Sequence, residues 1–94
     1  FKGRQNGELF IDLEKIPQTA KIRVRQEGDV FTKFGGGTKN LGDYLTDKKI
    51  PLIKRDFLPI IADGNVALVI CGVEISNLVK IGDKTTRIGK IVIK

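Results

Sequence analysis

The chain has 94 residues, of which 40% are hydrophobic, and its 17 Lys or Arg against 11 Asp or Glu give a formal net charge of +6. This length favours one domain with one modest core and excludes two domains, while the composition excludes a disordered tail. The sequence has no His and one Cys, which excludes imidazole catalysis, His-ligated metal and an internal disulfide.

The first predicted element is a strand over residues 8–13, where Leu and Ile alternate with other residues. The chain starts at Phe1 and contains no Met, so we expect a piece of a longer protein. Residues 1–19 are expected to supply an N-terminal strand and a connection from that parent, and residues 20–94 the domain itself. The single Cys favours a reducing compartment, and no apolar run is long enough to cross a membrane, so we expect a cytoplasmic protein without a membrane partner.

The next predicted strand alternates in the same way. Ile22 and Val24 are expected to face the core, which places Lys21, Arg23 and Arg25 together on the opposite face. Cations about 6.5–7 Å apart on one face of a strand can follow a phosphate backbone.

Positive charge is concentrated in the middle of the chain. Residues 21–55 hold nine Lys or Arg and four Asp or Glu, so nearly all of the net charge lies there. Such a cluster is typical of a surface that binds a polyanion, most commonly nucleic acid. The alternative is a solvated surface that keeps the domain soluble.

A glycine-rich loop lies inside this basic segment. Gly35, Gly36 and Gly37 are followed by Thr38, which we expect to cap a helix. The loop amides at the helix start would then cradle a phosphate, with Lys39 beside them. The order Gly-Thr-Lys does not match the Walker pattern, so we do not expect a nucleotide-binding loop; a flexible loop without a ligand is the alternative.

Two short helices are predicted after the loop. The first covers about residues 38–48, with Leu41 and Leu45 on its apolar face. The second covers about residues 51–57, with Pro51 at its first position.

The C-terminal half is predicted to be mostly strand. Residues 58–62 and 65–73 are apolar strands around an Asp-Gly hairpin turn, and further strands are expected at residues 81–83 and 86–94. The fold class is therefore α+β, with antiparallel or mixed strands and two short inserted helices.

A compact basic corner is predicted on either side of the proline that starts the second helix. Its members are Lys48, Lys49, Lys54 and Arg55. Arg55 has an alternative role, in which it bonds a carboxylate or loop carbonyls and fixes the helical insert.

The remaining candidates have mainly structural interpretations. Asp29 follows a glycine and is interpreted as a turn cap, and Cys71 as a small buried residue. Phe34 is the candidate for stacking on a base, whereas the other aromatic residues, including Phe57, are assigned to the core. No catalytic constellation is recognisable among the scattered carboxylates, so we expect a binding module.

Several short motifs follow one another from residue 25 onward. They are Arg25-Gln-Glu-Gly-Asp29, Phe34-Gly-Gly-Gly-Thr-Lys39, Asp47-Lys-Lys-Ile-Pro51, Arg55-Asp56, Pro59-Ile-Ile and Glu74-Ile75-Ser76. In this order and spacing, over roughly residues 20–86, they resemble the C-terminal domain of tRNA(Ile)-lysidine synthase.

This resemblance implies a small layered β-sandwich-like domain with helices. It also implies a parent that is an ATP-dependent ligase, which joins lysine to the wobble cytidine of an isoleucine tRNA. ATP and Mg²⁺ would be bound by an N-terminal domain with a Ser-Gly-Gly-x-Asp-Ser loop, which this sequence lacks, so we expect neither cofactor nor catalytic residue here. The resemblance further implies that the domain grips the tRNA body and acceptor stem.

We therefore predict an RNA-binding surface that uses shape and phosphate contacts rather than base recognition. Its predicted members are Arg23, Arg25, Lys39, Lys48, Lys49, Lys54 and Arg55. The alternative is a protein-interaction module without RNA contact, which docks on the parent's catalytic domain or forms a homodimer through an edge strand near the C-terminus.

Overall fold

A computed structural model describes residues 4–5 and 8–91 of the chain, without the side chains of residues 4, 5 and 8. The strands of this part are β1 (Arg4–Gln5), β2 (Glu8–Asp12), β3 (Lys21–Arg23), β4 (Val30–Thr32), β5 (Thr38–Asn40), β6 (Ile60–Asp63), β7 (Val66–Ile70), β8 (Glu74–Ile75) and β9 (Ile88–Ile91). Its helices are α1 (Leu41–Asp47) and α2 (Leu52–Arg55), with short 3₁₀ helices at Leu13–Lys15 and Asn77–Val79.

The strands form two sheets. The larger sheet has the order β3-β6-β7-β4-β5, with β8 paired to β7, and the smaller has the order β1-β2-β9. Within the larger sheet β4 and β7 are parallel, whereas the other pairs are antiparallel. This mixed sheet with two short helices confirms the predicted α+β class.

The larger sheet has a hydrophobic cluster on each face, so the predicted single core is divided in two. On one face, Phe31 and Ile60 pack against Leu41 and Leu45 of α1. On the other, Val69 and its neighbours pack against β2 of the smaller sheet. The molecule is therefore built in three layers, with the helices and the smaller sheet on opposite faces of the larger sheet.

A bulge in β7 changes which of its side chains point to each face of the larger sheet. Ile61 is opposite Val69 while Ala62 is opposite Ala67, so Leu68 is an additional residue in the ladder. Leu68 and Val69 consequently both belong to the cluster beneath the smaller sheet, where strict alternation would have sent one of them to the helical face.

The first helix starts later than predicted. Residues 38–40 pair with β4 as strand β5, and Asn40, not Thr38, is the N-cap. The Asn40 side chain accepts hydrogen bonds from the amides of Gly42 and Asp43. The second helix, α2, is shorter than the predicted residues 51–57, and Pro51 is its N-cap.

The predicted orientation of β3 is wrong. Ile22 is 74% exposed and Val24 is also exposed, whereas Arg23 and Arg25 are half-buried. Strand β3 is at the edge of the larger sheet, and Arg23 pairs with the buried Asp29. This pairing turns the Arg23 side of β3 inward and leaves Ile22 exposed. Alternation alone could not identify that face.

Three other expectations need correction or fall partly outside the described residues. Phe57 is 79% exposed rather than in the core. Residues 81–83 are not a strand. Strand β9 confirms the strand predicted at residues 86–94 as far as Ile91, and residues 92–94 lie outside the described part of the chain.

Candidate nucleic-acid interface

Two of the predicted cations meet in one surface pocket between the β4–β5 hairpin and α1. Lys39 and Lys48 line it together with Lys33, which the sequence reasoning did not select. Phe34 and Tyr44 supply its aromatic wall, and its volume is about 310 Å³. We call this the basic pocket. Lys33 directly precedes the Phe-Gly-Gly-Gly motif, and this position was the signal that could have identified it.

The cations of the basic pocket differ in the groups that they contact. Lys39 is ion-paired with Asp47, and hydrogen bonding from Lys39 lowers the pKa of that carboxyl. The Lys48 ammonium lies 5.6 Å from the centre of the Tyr44 ring, a cation–π contact that orients it at the end of α1. Tyr44 is itself held by Phe31, at a ring-centroid distance of 4.5 Å. The pocket therefore has a fixed aromatic wall, and its three lysines share the lining with the carboxylates of Asp47 and Glu74.

The three glycines form a hairpin turn rather than the start of a helix. Gly35 and Gly36 have φ of 95° and 89°, which suits them to the tight connection between β4 and β5. The Lys33 amide donates to the Gly37 carbonyl, and the Gly36 amide donates to the Lys33 carbonyl. The helix-dipole argument for a phosphate cradle at Gly35, Gly36, Gly37 and Thr38 is therefore wrong, and the cradle stays a prediction without that support.

Arg23 is part of an internal clamp rather than a free cation. Its Nη1 and Nη2 donate to the two carboxylate oxygens of Asp29 at 2.9 and 2.8 Å. The same nitrogens donate to the carbonyls of Val24 and Gly64. The four hydrogens on these nitrogens are all used within the fold, which leaves none of them for a phosphate.

The Asp29 carboxylate keeps its charge despite being buried. Burial by itself raises the pKa of Asp29, but hydrogen bonds from Arg23 and from the Gln26 amide outweigh it, and the pKa lies below its ordinary value. The hydrogen bonds that Arg23 donates to Asp29 also raise the pKa of Arg23. The predicted role of Asp29 in the turn is confirmed by its bond to Gln26.

Arg25 lies in a different surface pocket, at the start of α1. It pairs with Asp56 at 3.1 Å and borders this pocket with Gly28 and Gly42. This ion pair links the segment after β3 to the end of α2. Arg25 is thus near the helical insert but outside the basic pocket.

The remaining predicted cations are on the part of the chain that contains α1 and α2, which we call the helical insert. Lys49 and Lys54 are exposed, next to the end of α1 and within α2. The Nε of Arg55 donates to the Ile50 carbonyl at 2.9 Å, which is the structural role considered for it above. The seven predicted residues therefore lie at several places around the insert and the sheet edge, and Lys39 and Lys48 are the two that share the basic pocket.

The described residues contain little that could support other chemistry. Among residues 4–5 and 8–91, no three His, Cys, Asp or Glu side chains are placed to hold a metal ion. In the same part of the chain, no helix is long and apolar enough to span a bilayer. Cys71 is buried, as predicted, and burial raises the pKa of its thiol, which makes it a poor nucleophile.

Comparison with known proteins gives a consistent match. The family described as the TilS substrate C-terminal domain matches residues 20–92. The chain is 38% identical over 86 residues to the tRNA(Ile)-lysidine synthase of Clostridium tetani, covering 90% of this chain and 18% of that protein. It is 35% identical over 95 residues to the enzyme of that name from Clostridium acetobutylicum, covering 100% of this chain and 20% of that protein.

The chain therefore spans about a fifth of the length of these curated relatives. A solved structure described as the crystal structure of TILS C-terminal domain superposes with a TM-score of 0.70 at 24% identity, covering 100% of this chain and 76% of that chain. This likeness shows that the layered fold described above is shared with that domain.

Proposed function

Since the chain belongs to the TilS substrate C-terminal domain family, we propose that it is the tRNA-binding module of a tRNA(Ile)-lysidine synthase. The observation that carries the proposal is the convergence of Lys33, Lys39 and Lys48 on one pocket with an aromatic wall. Lysine side chains that are grouped on one surface can contact the phosphates of a nucleic acid.

The proposed RNA-contacting surface is smaller than the sequence predicted. It consists of the basic pocket and the two exposed lysines of the insert, Lys49 and Lys54. Arg23 is left out because its terminal nitrogens are used inside the fold. Arg25 lies beside the helical insert and Arg55 is in α2, and both would contact RNA with the donors that their internal bonds leave over.

The proposed mechanism is positioning. Double-helical RNA is recognised mainly through its shape, its phosphates and its 2′-hydroxyls. The module would rest on the tRNA body and acceptor stem and set the register of the tRNA. The wobble cytidine would then be presented to the parent's catalytic domain, where ATP and Mg²⁺ support the ligation of lysine. None of the described residues is assigned a step in that chemistry.

Charge reversal tests this proposal. In the variant Lys48→Glu/Lys49→Glu we expect the affinity for isoleucine tRNA, measured by filter binding, to fall by roughly 10-fold or more. The reduction should be similar for unrelated tRNAs, because phosphate contacts carry no sequence information.

The matched control is Lys21→Glu/Arg87→Glu, which changes the net charge by the same amount. Lys21 is on β3, at the opposite edge of the larger sheet from β5, and Arg87 directly precedes β9 of the smaller sheet. Equal losses in the two variants would mean that only net charge matters, and an unchanged affinity in the first variant would remove both lysines from the site.

One observation favours a second candidate function, that of a protein-docking module. Leu52, Ile53 and Phe57 are each more than 70% exposed on or next to α2, an unusual concentration of apolar surface. Light scattering of the isolated chain distinguishes the candidates. A dimer whose formation is indifferent to tRNA supports docking, whereas a monomer with salt-sensitive tRNA binding supports the first function.

A further inference from the structure

Phe34 lines two pockets, not one. Besides the basic pocket, its ring borders a cavity of about 450 Å³ between the β4–β5 turn and the segment that follows β8. Asn77, Lys80, Ile81 and Asp83 line the rest of this second cavity, which we call the Phe34–Asn77 pocket. Its volume is in the range of small-ligand sites.

The far wall of the Phe34–Asn77 pocket is held in place by hydrogen bonds. The Lys80 carbonyl accepts from the Lys15 ammonium at 2.9 Å. The Gly82 amide donates to the hydroxyl of Thr85, which in turn donates to the buried carboxylate of Asp12. The pocket is therefore pre-formed, and a ligand would not have to order this segment on binding.

One residue that lines this pocket has an unsatisfied polar atom. The Oδ1 of Asn77 is buried, so it does not itself face the cavity, and it has no hydrogen-bond partner among the described residues. A buried acceptor without a donor costs free energy, so a ligand is favoured if it brings an N–H group to this oxygen once the carboxamide has turned toward the cavity. The half-exposed ring of Phe34 and the side chain of Ile81 offer that ligand an apolar surface.

We propose that the Phe34–Asn77 pocket holds an unpaired nucleobase with an exocyclic amino group, contributed by the RNA on the basic pocket. The base would stack on Phe34 and donate its amino hydrogen to Asn77 Oδ1. Its phosphate would lie toward Lys33 and Lys39, because the two pockets share Phe34. This inference rests on the proposed function and deepens it, because it adds recognition of one unpaired base to the contacts with double-stranded RNA.

The test compares a fluorescein-labelled single-stranded RNA tetranucleotide with a blunt RNA duplex. In Phe34→Ala the affinity for the single strand, measured by fluorescence anisotropy, should fall by roughly 5- to 100-fold, and it should fall by a larger factor than the affinity for the duplex, because only an unpaired base can stack on the ring. Phe34→Trp should restore binding. The matched control is Phe57→Ala, which removes a more exposed ring that lines neither pocket, and it should leave both affinities unchanged.

The role of Asn77 is tested with the base itself. Wild-type chain should bind a tetranucleotide with adenosine roughly 2- to 10-fold more tightly than one with purine riboside, which lacks the amino group. Asn77→Leu should abolish that preference while its circular dichroism spectrum stays unchanged. Equal binding of the two oligonucleotides by wild-type chain would overturn the assignment of Asn77.

The outcomes separate this inference from the proposed function. If Phe34→Ala binds the single strand as wild type does, while Lys48→Glu/Lys49→Glu still weakens duplex binding, the pocket proposal is wrong and the proposed function stands. If wild-type chain binds neither RNA, both are wrong.

Discussion

The Asp29 carboxylate is 3% exposed and accepts three hydrogen bonds, two from Arg23 and one from the Gln26 amide. Removing one member of such a pair leaves the other without its partner in a region of low dielectric. The Arg23 side chain also reaches the Gly64 carbonyl, so the pair joins the edge strand β3 to the β6–β7 turn. Asp29 is therefore a stability residue rather than a catalytic one.

We predict that Asp29→Asn lowers the free energy of unfolding by about 1–3 kcal/mol at pH 7, measured by urea denaturation. Because the pKa of Asp29 is lowered in the folded state, its stabilising effect is present above the ordinary value of 3.8 and is lost as the pH falls through the folded value. The difference between wild type and variant should therefore be constant from pH 7 to about pH 5 and shrink below it.

Asp56→Asn is the control for this prediction. Asp56 also pairs with an arginine, but its side chain is 71% exposed, so its loss should cost less than about 1 kcal/mol. If both variants lose a similar free energy of unfolding, burial of Asp29 is not the reason why its ion pair stabilises the fold.

The sequence predicted the structural role of Asp29 but not that of its partner, Arg23. The glycine beside Asp29 identified the turn and the cap, because that chemistry is local. The pairing of Asp29 with Arg23 depends on which face of β3 turns inward, and the sheet edge decides that. This is why Arg23 was predicted to be a phosphate ligand.

Among the elements, α1 ends in an arrangement that normally favours glycine. The Ile50 amide donates to the Leu45 carbonyl and the Lys49 amide to the Thr46 carbonyl, the two bonds of a Schellman motif. Lys49 is consequently left-handed, with φ of 59°, the single non-glycine residue of the described chain with positive φ. A lysine side chain is thus held at this position against the backbone preference.

We predict that Lys49→Gly raises the free energy of unfolding by about 0.5–1 kcal/mol, because glycine adopts this conformation without strain. The same variant should bind tRNA more weakly, since it removes a charge of the proposed surface. Thermal or urea unfolding measures the first effect and filter binding the second.

Lys48→Gly provides the comparison. Lys48 has φ of −83°, where glycine relieves no strain and costs about 0.5–1 kcal/mol of stability. Stability changes of the same sign at the two positions would contradict this account of α1.

The helix boundaries show what local signals can and cannot determine. Leu41, Tyr44 and Leu45 are buried together as the helical spacing predicted. The start was placed too early because Thr38, like Asn40, is one of the residue types that cap helices. What separates them is the pairing of β5 with β4, a contact that the hairpin glycines make possible and that no capping signal reports.

For the whole molecule, internal ion pairs reduce the charge available to a polyanion. Arg23, Arg25 and Lys39 each have a carboxylate partner. By contrast, Lys33, Lys48, Lys49 and Lys54 have no ion-pair partner among the described residues. The proposed binding face therefore depends mainly on these four lysines rather than on the net charge of the chain.

We predict that the logarithm of tRNA affinity falls with the logarithm of salt concentration at a slope of roughly −3 to −4, the value for about four phosphates. Filter binding at KCl concentrations from about 50 to about 200 mM measures this slope. A slope near zero would contradict an electrostatic grip, and one near −7 would mean that the paired cations contribute as well.

The fold class and the β6–β7 hairpin followed from periodicity and turn chemistry, which are local properties. The division of the core, the bulge at Leu68 and the exposure of Phe57 did not, because each depends on what covers a surface. The basic segment is visible in the sequence, but which of its lysines and arginines are ion-paired depends on the three-dimensional arrangement.

The parallel pairing of β4 with β7 also sets an order of assembly during synthesis. The β4–β5 hairpin and α1 can form as soon as they leave the ribosome and give Val30 its first lateral neighbour, Asn40, but the second, Val66, is made later. Until then the hydrophobic cluster that contains Phe31 lacks Ala67 and Ile70. The helical insert is therefore synthesised before the larger sheet is complete. Its final packing against the sheet follows the synthesis of β7.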